Sequence, residues 1–282
     1  MMRRELSALG LRTPLIDAGP EGASEAVVLL HGNPGSAADW EAVIPQIAEF
    51  GRVVAFDLPG FGNADKPDFL DYSAGTYASF IGAVIGQLGI TRAHLVMHDL
   101  GGTGLVWAAA TPRAVGSLTL IDTGVLLDFR WHWTAAMYRA PLIGGLMIRT
   151  TTRRAFRATL RYYNRRARPL PEQAIERIWR DYEPATRRAA QRFYRSTPPE
   201  ALGLLREPLR ALDPPTLVIW GLEDPAVPVV QAERQRETFP HAEVHVLEES
   251  GHWPMLDDPD RFSAALLPFL RRQLGAATAT GD

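Results

Sequence analysis

The sequence predicts an α/β fold with a mostly parallel central sheet covered by helices on both faces. Short runs rich in β-branched and apolar residues alternate with segments of helical periodicity, which is typical of parallel strands joined by crossover helices. Several strand candidates are apolar almost throughout, as expected where helices cover both faces of a sheet. A chain of 282 residues, 46% of them hydrophobic, is long enough to bury a core in one large domain or two small ones.

The predicted elements follow one another along the chain in this alternating order. The strand candidates are residues 26–30, 53–56, 93–97, 118–121, 216–220 and 244–247. The helix candidates are residues 39–50, 74–88, 101–111, 229–238 and 260–274. The alternation stops after Leu127, and the next eighty or so residues are rich in Arg, Trp and Tyr at helical spacing. We therefore expect a core of residues 1–127 and 212–282, interrupted by a helical lid of residues 128–211.

Composition excludes several function classes. Because the chain has no cysteine, it can form no disulfide, no cysteine–metal site and no thiol nucleophile. Its 30 basic and 32 acidic side chains give a formal net charge of −2, which fits a compact protein rather than a disordered one. No apolar run reaches the roughly 18–20 residues of a membrane helix, so we expect a cytoplasmic protein.

The sequence indicates a small-molecule substrate and no cofactor. His94, His241 and His245 do not form a convincing metal-binding set, and no phosphate-binding or dinucleotide motif is evident. We expect no nucleic-acid or membrane partner, and a monomer or homodimer.

One stretch of the chain is strongly basic. No Asp or Glu occurs between Phe129 and Pro171, whereas ten arginines do. Such a run could attract an anionic substrate, a nucleic acid or a membrane surface. Arg153, Arg157 and Arg161 recur at intervals of four, however, which favours a solvated helix face.

A sharp turn from strand to helix contains the predicted nucleophile. The run Met97-His98-Asp99-Leu100-Gly101-Gly102 lies between a predicted strand and a helical stretch. This is the pattern of a nucleophile elbow with Asp99 in place of serine, although Met97 replaces the usual glycine. The elbow presents its side chain at the carboxyl edge of the sheet, where the helix N-terminus favours an ionised carboxylate.

Three further segments follow predicted strands, and two of them complete a catalytic triad in chain order. Asp224 follows one strand, His252 lies in the loop after the last strand, and Asn33 follows the strand 26–30. The order nucleophile, acid, base is that of the α/β hydrolases. Asp122 is an alternative acid, since it directly follows the strand 118–121, but Asp224 is preferred.

Over most of its length the sequence resembles the α/β-hydrolase superfamily, with the lid as the least similar part. His98-Asp99 followed by Gly101-Gly102 resembles the branch with an aspartate nucleophile, namely epoxide hydrolases and haloalkane dehalogenases. Two further stretches resemble the family, His31-Gly32-Asn33-Pro34 and Asp57-Leu58-Pro59-Gly60-Phe61-Gly62. The resemblance implies the α/β-hydrolase fold with an inserted lid, and an oxyanion hole formed by the backbone N–H groups of Asn33 and Leu100.

An aspartate nucleophile implies a particular reaction. A carboxylate attacks an electrophilic sp³ carbon and forms an alkyl-enzyme ester, whereas serine forms an acyl-enzyme from an ester or amide. His252, oriented by Asp224, is then expected to activate the water that hydrolyses the Asp99 ester.

The leaving group distinguishes an epoxide from a halide. The resemblance implies two lid tyrosines that protonate the epoxide oxygen, and Tyr194 and Tyr138 are the candidates. Tyr162 and Tyr163 are the next choices after Tyr138. Dehalogenases are expected to carry Trp after the nucleophile, where this chain has Leu100. We therefore expect an epoxide hydrolase. The first alternative is a haloalkane dehalogenase in which Asn33 and either Trp131 or Trp133 bind the departing halide. The second alternative is a relative that binds a hydrophobic small molecule and either has no catalytic activity or catalyses a rearrangement.

Four aromatic residues beside these motifs are candidates for lining an apolar substrate cavity. They are Trp40, Phe61, Trp131 and Trp253.

Overall fold

The structure is a computed structural model that describes residues 1–164 and 166–278. One eight-stranded sheet runs through these residues with the strand order β1-β2-β4-β3-β5-β6-β7-β8. The strands are β1 (Met2–Ala8), β2 (Leu11–Ala18), β3 (Glu25–Leu30), β4 (Arg52–Phe56), β5 (Arg92–His98), β6 (Val115–Ile121), β7 (Thr216–Gly221) and β8 (Glu243–Leu247). The six predicted strands correspond to β3 to β8, which pair in parallel throughout.

Twelve α-helices accompany this sheet in the described part of the chain. They are α1 (Ile44–Ala48), α2 (Ala74–Gln87), α3 (Gly104–Ala110), α4 (Trp133–Arg139), α5 (Pro141–Thr150), α6 (Arg153–Tyr163), α7 (Glu172–Asp181), α8 (Pro184–Ser196), α9 (Arg206–Leu212), α10 (Val230–Arg234), α11 (Pro254–Asp257) and α12 (Pro259–Thr278). The predicted α/β fold with a mostly parallel sheet is confirmed.

The hairpin of β1 and β2 was not predicted from the sequence. These two strands are antiparallel to each other, and β2 is also antiparallel to β4. Most residues of β1 are exposed, because it is the edge strand, so its sequence lacks the continuous apolar run that marks the inner strands.

The inner strands are buried on both faces. Every residue of β4 is buried, as are six consecutive residues of β5, from Ala93 to His98. Successive side chains of a strand point to opposite faces, so burial of consecutive residues requires cover on both sides. The helix α2 packs on α3, and α1 packs on α12.

Six helices, α4 to α9, lie between β6 and β7. Side-chain contacts join them to loops that follow β3 and β8: Tyr194 of α8 contacts Asn33, and Asn164 contacts Asp257. The last of the six, α9, packs against α3 and buries Leu209. The exact division into a core and a lid at residues 127 and 211 stays a prediction.

None of the helices in the described ranges combines the length and the apolar character needed to cross a lipid bilayer.

Candidate active site

The chain reverses sharply after β5, and Asp99 lies at this turn. Its φ angle is +46°, a left-handed backbone conformation that is strained for any residue but glycine. A one-turn 3₁₀ helix, Asp99–Thr103, leads directly into α3. A Cβ atom on Gly101 would lie 2.4 Å from the carbonyl oxygen of Leu30, so only glycine fits where the elbow crosses β3.

The loop after β3 approaches the elbow equally closely. A Cβ atom on Gly32 would lie 2.8 Å from the Cβ of Asp99. This contact brings the backbone N–H of Asn33 to 2.8 Å from Oδ1 of Asp99, to which it donates a hydrogen bond. The other carboxylate oxygen, Oδ2, is 3.6 Å from Nε2 of His252. The two oxygens therefore have different partners, one a fixed donor and the other an imidazole.

The carboxyl group of Asp99 is ionised. Burial by itself raises its pKa, but the hydrogen bond and charge of His252, together with the Asn33 N–H, outweigh burial and hold the pKa well below its usual range. The side chain retains about 21% exposure, so it is open on one side.

The imidazole of His252 is held by Asp224. Nδ1–H of His252 donates to Oδ2 of Asp224 at 2.8 Å, and the backbone N–H of Ala226 donates to the other Asp224 oxygen at 2.6 Å. On its opposite side, the backbone carbonyl of His252 accepts a hydrogen bond from Nε2 of His98 at 2.7 Å. Burial lowers the pKa of His252, but the charges of Asp224 and Asp99 outweigh burial and hold the pKa well above its usual value.

Asp122, the alternative acid, has different partners. It accepts a hydrogen bond from the backbone N–H of Gly221, and its Oδ2 has no hydrogen-bond partner among the described residues. Burial, followed by the charge of Asp224, raises the pKa of Asp122 well above its usual value. The preferred acid, Asp224, is thus the one bonded to the imidazole.

A cavity of about 330 Å³ extends from this site between the sheet edge and the inserted helices. Asn33, Tyr194 and His252 line one end of it, and Thr150 of α5 and Ala155 of α6 line another part. None of the described residues that line the cavity is Asp, Glu, Lys or Arg. It therefore suits an uncharged and largely apolar molecule.

The two predicted lid tyrosines both line this cavity but differ in their partners. The hydroxyl of Tyr194 accepts a hydrogen bond from Nδ2 of Asn33 at 2.9 Å, which leaves its own proton available as a donor. The hydroxyl of Tyr138 instead accepts a hydrogen bond from Tyr182 at 2.9 Å. The charge of Asp99 contributes to the pKa of Tyr194, whereas Tyr182 and Arg187 are the main polar influences on Tyr138. Of these two hydroxyls, that of Tyr194 is bonded to Asn33, the residue whose backbone N–H binds Asp99.

The residue that sequence reasoning missed is His132, which had no predicted role. It precedes α4, and its ring lies edge to face with that of Tyr194 at a centroid distance of 6.0 Å. Nδ1 of His132 accepts a hydrogen bond from the backbone N–H of Ala135 and lies 2.7 Å from the hydroxyl of Tyr163. Because the Ala135 N–H can only donate, the ring proton must be on Nε2.

His132 is also uncharged. Burial lowers its pKa to about 4, so at neutral pH it is a hydrogen-bond donor without a positive charge. A single histidine between two tryptophans carries no motif, so only its position beside Tyr194 and the cavity identifies it.

Comparison with known proteins decides the family. Residues 25–259, most of the chain, match the family described as the alpha/beta hydrolase fold. The chain belongs to this family. The predicted resemblance to the α/β-hydrolase superfamily is therefore confirmed.

Named relatives of this α/β hydrolase include other hydrolases. It is 30% identical to a 2-hydroxy-6-oxononadienedioate/2-hydroxy-6-oxononatrienedioate hydrolase of Paraburkholderia phymatum, over 92% of this chain and 91% of the relative. It is 29% identical to a 2-hydroxymuconate semialdehyde hydrolase of Pseudomonas sp. strain CF600, over 97% of this chain and 95% of that protein.

Solved structures of other activities share the same fold. A loop variant of a haloalkane dehalogenase from Bradyrhizobium elkanii superposes with a TM-score of 0.82 at 24% identity, covering 100% of this chain and 99% of the other. The epoxide hydrolase CorEH superposes with a TM-score of 0.81 at 22% identity, covering 96% and 99%. At these identities the likeness establishes the fold and leaves the reaction to the site residues.

The four aromatic cavity candidates of this hydrolase separate into two groups. Trp253 lines the large cavity, and Trp131 lines a smaller chamber of about 30 Å³ together with Asp99 and Leu100. Trp40 and Phe61 were wrongly predicted to line a cavity. Both are fully buried in the core, where Trp40 packs on Phe262 and Phe61 packs edge to face on His31.

Proposed function

We propose that this α/β hydrolase opens an epoxide to a vicinal diol through a covalent ester on Asp99. One observation carries the proposal: Asn33 holds both reacting groups. Its backbone N–H binds one oxygen of Asp99, and its side-chain amide binds the hydroxyl of Tyr194. A nucleophile and a proton donor are thereby held by one residue, and His132 lines both the large cavity with Tyr194 and the small chamber with Asp99.

In the first step, Oδ2 of Asp99 attacks an epoxide carbon and the ring C–O bond breaks. The departing oxygen stays attached to the substrate and takes the proton of Tyr194. Burial, followed by the charge of Asp99, raises the pKa of Tyr194 well above its usual value, so the phenol keeps its proton until negative charge develops on the epoxide oxygen. Nε2–H of His132 is the second donor in this proposal and takes the role predicted for Tyr138.

In the second step, His252 removes a proton from water, and the resulting hydroxide attacks the ester carbonyl carbon of Asp99. Negative charge develops on Oδ1, which the Asn33 N–H already binds, and the N–H of Leu100 is the other proposed donor. Collapse of this intermediate breaks the acyl C–Oδ2 bond, and the departing diol oxygen takes the proton of the newly formed hydroxyl, which regenerates the carboxylate. The proton taken from water stays on His252 and restores the protonated ring of the free enzyme.

Formation of the ester itself prepares His252 for this second step. The negative charge of Asp99 is one of the interactions that raise the pKa of His252 in the free enzyme. Alkylation removes that charge, so the pKa of His252 falls, the imidazolium passes its proton to the Tyr194 phenolate, and the neutral ring can then act as a base.

The site is less suited to the reactions of the named relatives. A dioate substrate carries two carboxylates, and no lysine or arginine is found among the described residues lining the cavity, where the protonated His252 already lies between Asp224 and Asp99. Burying a carboxylate without a partner is costly. An oxo group is also an acyl-type electrophile, for which an alkylating carboxylate is not the expected nucleophile.

Haloalkane dehalogenation is the second candidate, and Trp131 favours it. Its indole Nε1–H is buried and has no hydrogen-bond partner among the described residues, and the ring lines the small chamber beside Asp99. That N–H could bind a departing halide.

An assay of epoxides and haloalkanes in parallel, with diol and free halide both measured, tests the proposal. Diol formation from an uncharged aromatic or aliphatic epoxide is expected. Halide release without any diol formation would favour haloalkane dehalogenation over epoxide hydrolysis. Binding without either product would indicate a relative that has lost catalytic activity.

Single-turnover reaction in oxygen-18 water tests the ester. The first diol formed should carry an unlabelled oxygen from Asp99, and the variant His252→Gln should accumulate the ester as a mass adduct. His241→Gln is the matched control, because His241 is an exposed histidine away from the site. Repeated turnover by His252→Gln without an adduct would exclude the two-step mechanism.

A further inference from the structure

The helix α5 presents large apolar side chains to solvent. Leu142 is 88% exposed, Leu146 is 61% exposed and Ile143 is 49% exposed. Leu142 and Leu146 are four residues apart and so lie on one side of the helix. The opposite side is packed, since Gly144 and Ile148 are buried. The helix therefore has an apolar face that no described part of the chain covers.

Arginines adjoin this apolar face. Arg149 in the last turn of α5 and Arg154 in the first turn of α6 are both exposed, and neither has an ion pair among the described residues. The acidic side chains that do reach α6, Glu172 and Glu176 of α7, are already paired with Arg157. The positive charge at the junction of α5 and α6 is thus not neutralised by the protein.

The mouth of the large cavity opens on the same helices. Among the residues that line the cavity, Trp133 of α4, Thr150 of α5 and Ala155 of α6 are exposed. Arg149 and Arg154 are sequence neighbours of Thr150 and Ala155. Arg149 also follows the second exposed leucine by three residues and so lies on the same side of α5, and both arginines adjoin exposed residues that line the mouth.

The chemistry of this surface indicates which class of partner it binds. Apolar side chains bordered by arginines are the features of a helix that lies at the interface of an anionic lipid bilayer. A second copy of the chain fits less well, because a two-fold contact would bring the same unpaired arginines of both copies to one patch.

We propose that a docking face formed by Leu142, Ile143, Leu146, Arg149 and Arg154 binds the surface of an anionic lipid bilayer. This inference replaces the sequence-based expectation of a purely solvated basic face and of no membrane partner. Docking itself does not depend on the reaction. Its consequence, that a lipophilic epoxide passes from the bilayer into the cavity, rests on the proposed function.

Sedimentation with lipid vesicles tests the docking. The full-length protein is incubated with vesicles of phosphatidylcholine alone and with vesicles in which one lipid in three is phosphatidylglycerol. Binding is expected to the anionic vesicles and to be lost in about 1 M NaCl, where the Debye length is about 3 Å.

Paired substitutions locate the contact. The variant Arg149→Ala/Arg154→Ala should bind anionic vesicles more weakly by about tenfold or more, since each arginine near such a surface contributes about 1 kcal/mol. Leu142→Ser/Leu146→Ser should also reduce binding, because it removes the inserted apolar side chains. The matched controls are Arg113→Ala, which precedes β6 at the opposite edge of the sheet, and Leu204→Ser, an exposed leucine outside α4 to α6.

The outcomes separate docking from catalysis. Both double variants should retain turnover of a water-soluble epoxide, which also shows that they fold, and Asp99→Asn should bind vesicles like the unmodified protein. Equal vesicle binding by the controls and the double variants, or no binding to anionic vesicles, would overturn the docking proposal. Light scattering that shows a dimer broken by Leu142→Ser/Leu146→Ser would overturn it in favour of a second copy.

Discussion

At the scale of single residues, the ionisation of Asp99 and of His252 depends on the neighbouring charges, including that of Asp224. The imidazole lies between two carboxylates, at 3.6 Å from Asp99 and 2.8 Å from Asp224. Each carboxylate stabilises the protonated ring, and the protonated ring keeps Asp99 ionised. The free enzyme is thereby ready to attack, and the loss of one carboxylate charge changes the basicity of the ring.

The variant Asp99→Asn should lower the pKa of His252. The substitution removes a negative charge that favours the imidazolium, so the ring loses its proton at a lower pH than in the unmodified protein. Titration of the His252 resonance by NMR, assigned by its absence in His252→Gln, measures the change. Asp68→Asn, which alters an exposed carboxyl, should leave the pKa unchanged. An unchanged His252 pKa in Asp99→Asn would mean that the two groups do not interact.

Tyr194 and Tyr138 should differ in their effect on catalysis. Tyr194→Phe removes the proposed donor to the epoxide oxygen and should lower kcat by about a hundredfold or more. Tyr138→Phe removes a hydroxyl that is engaged by Tyr182 and should affect KM more than kcat. Steady-state kinetics on one epoxide measure both. The reverse order of effects would return the role of donor to Tyr138.

The residues of the inserted helices were harder to predict from the sequence than those at strand ends. The positions of Asp99, Asp224 and His252 follow from turns at strand ends, which have local sequence signals. Tyr194 is predicted by its place in the chain, whereas the role proposed for His132 depends on contacts with Ala135, Tyr163 and Tyr194 that no local pattern shows. Trp40 and Phe61 were misplaced because adjacency to a motif does not indicate which way a side chain points.

At the scale of elements, a partly buried ion pair joins α7 to the loop after β3. Arg177 donates to Asp39 at 2.6 Å, and the Asp39 side chain is fully buried. The second oxygen of Asp39 accepts a hydrogen bond from the backbone N–H of Ser36 in the same loop as Asn33. This pair therefore couples the inserted helices to the loop that carries the oxyanion donor.

The variant Arg177→Ala should destabilise the protein by about 3 kcal/mol, because it leaves the buried carboxylate of Asp39 without its cation. Denaturant unfolding measures the loss. Arg188→Ala is the control: Arg188 of α8 pairs with Asp68, but both side chains are exposed, so little change is expected. If the two variants were equally stable, the Asp39 pair would not contribute to the coupling.

The loop that carries His252 is held in a similar way. Asp257 of α11 accepts hydrogen bonds from the Ser250 hydroxyl, from the backbone N–H of Gly251 and from Asn164 at the end of α6. One side chain thus orders the turn before His252 and ties it to an inserted helix.

At the scale of the whole molecule, the sheet brings distant parts of the chain to one edge. The strands β3 and β5 are direct neighbours, so Asn33 and Asp99 lie together although they are far apart in sequence. The loops after β7 and β8 supply Asp224 and His252 from the same edge. The inserted helices cover this edge and leave a cavity whose described lining residues include no Asp, Glu, Lys or Arg.

An epoxide that carries a carboxylate should be a poor substrate. The described residues that line the cavity include no lysine or arginine, and the charge of His252 is already balanced by Asp99 and Asp224. A bound carboxylate would therefore be desolvated without compensation, and we expect kcat/KM to fall by about a hundredfold or more relative to the corresponding uncharged epoxide. Kinetics on an acid and its methyl ester or amide measure the ratio. Preference for the acid would point to a cationic group that joins the site on binding.

The sequence by itself determined the fold class, the parallel strands and the order of the three triad residues. These features are local, since apolar strands, glycine-rich turns and residues at strand ends are readable over a few positions. The tertiary structure alone decided that His132 lies beside Tyr194, that Tyr138 is engaged by Tyr182, and that the apolar side of α5 faces outward. The physical reason is that these properties depend on which surfaces of separate helices meet, and amphipathic periodicity shows that a helix has two sides without showing what each side contacts.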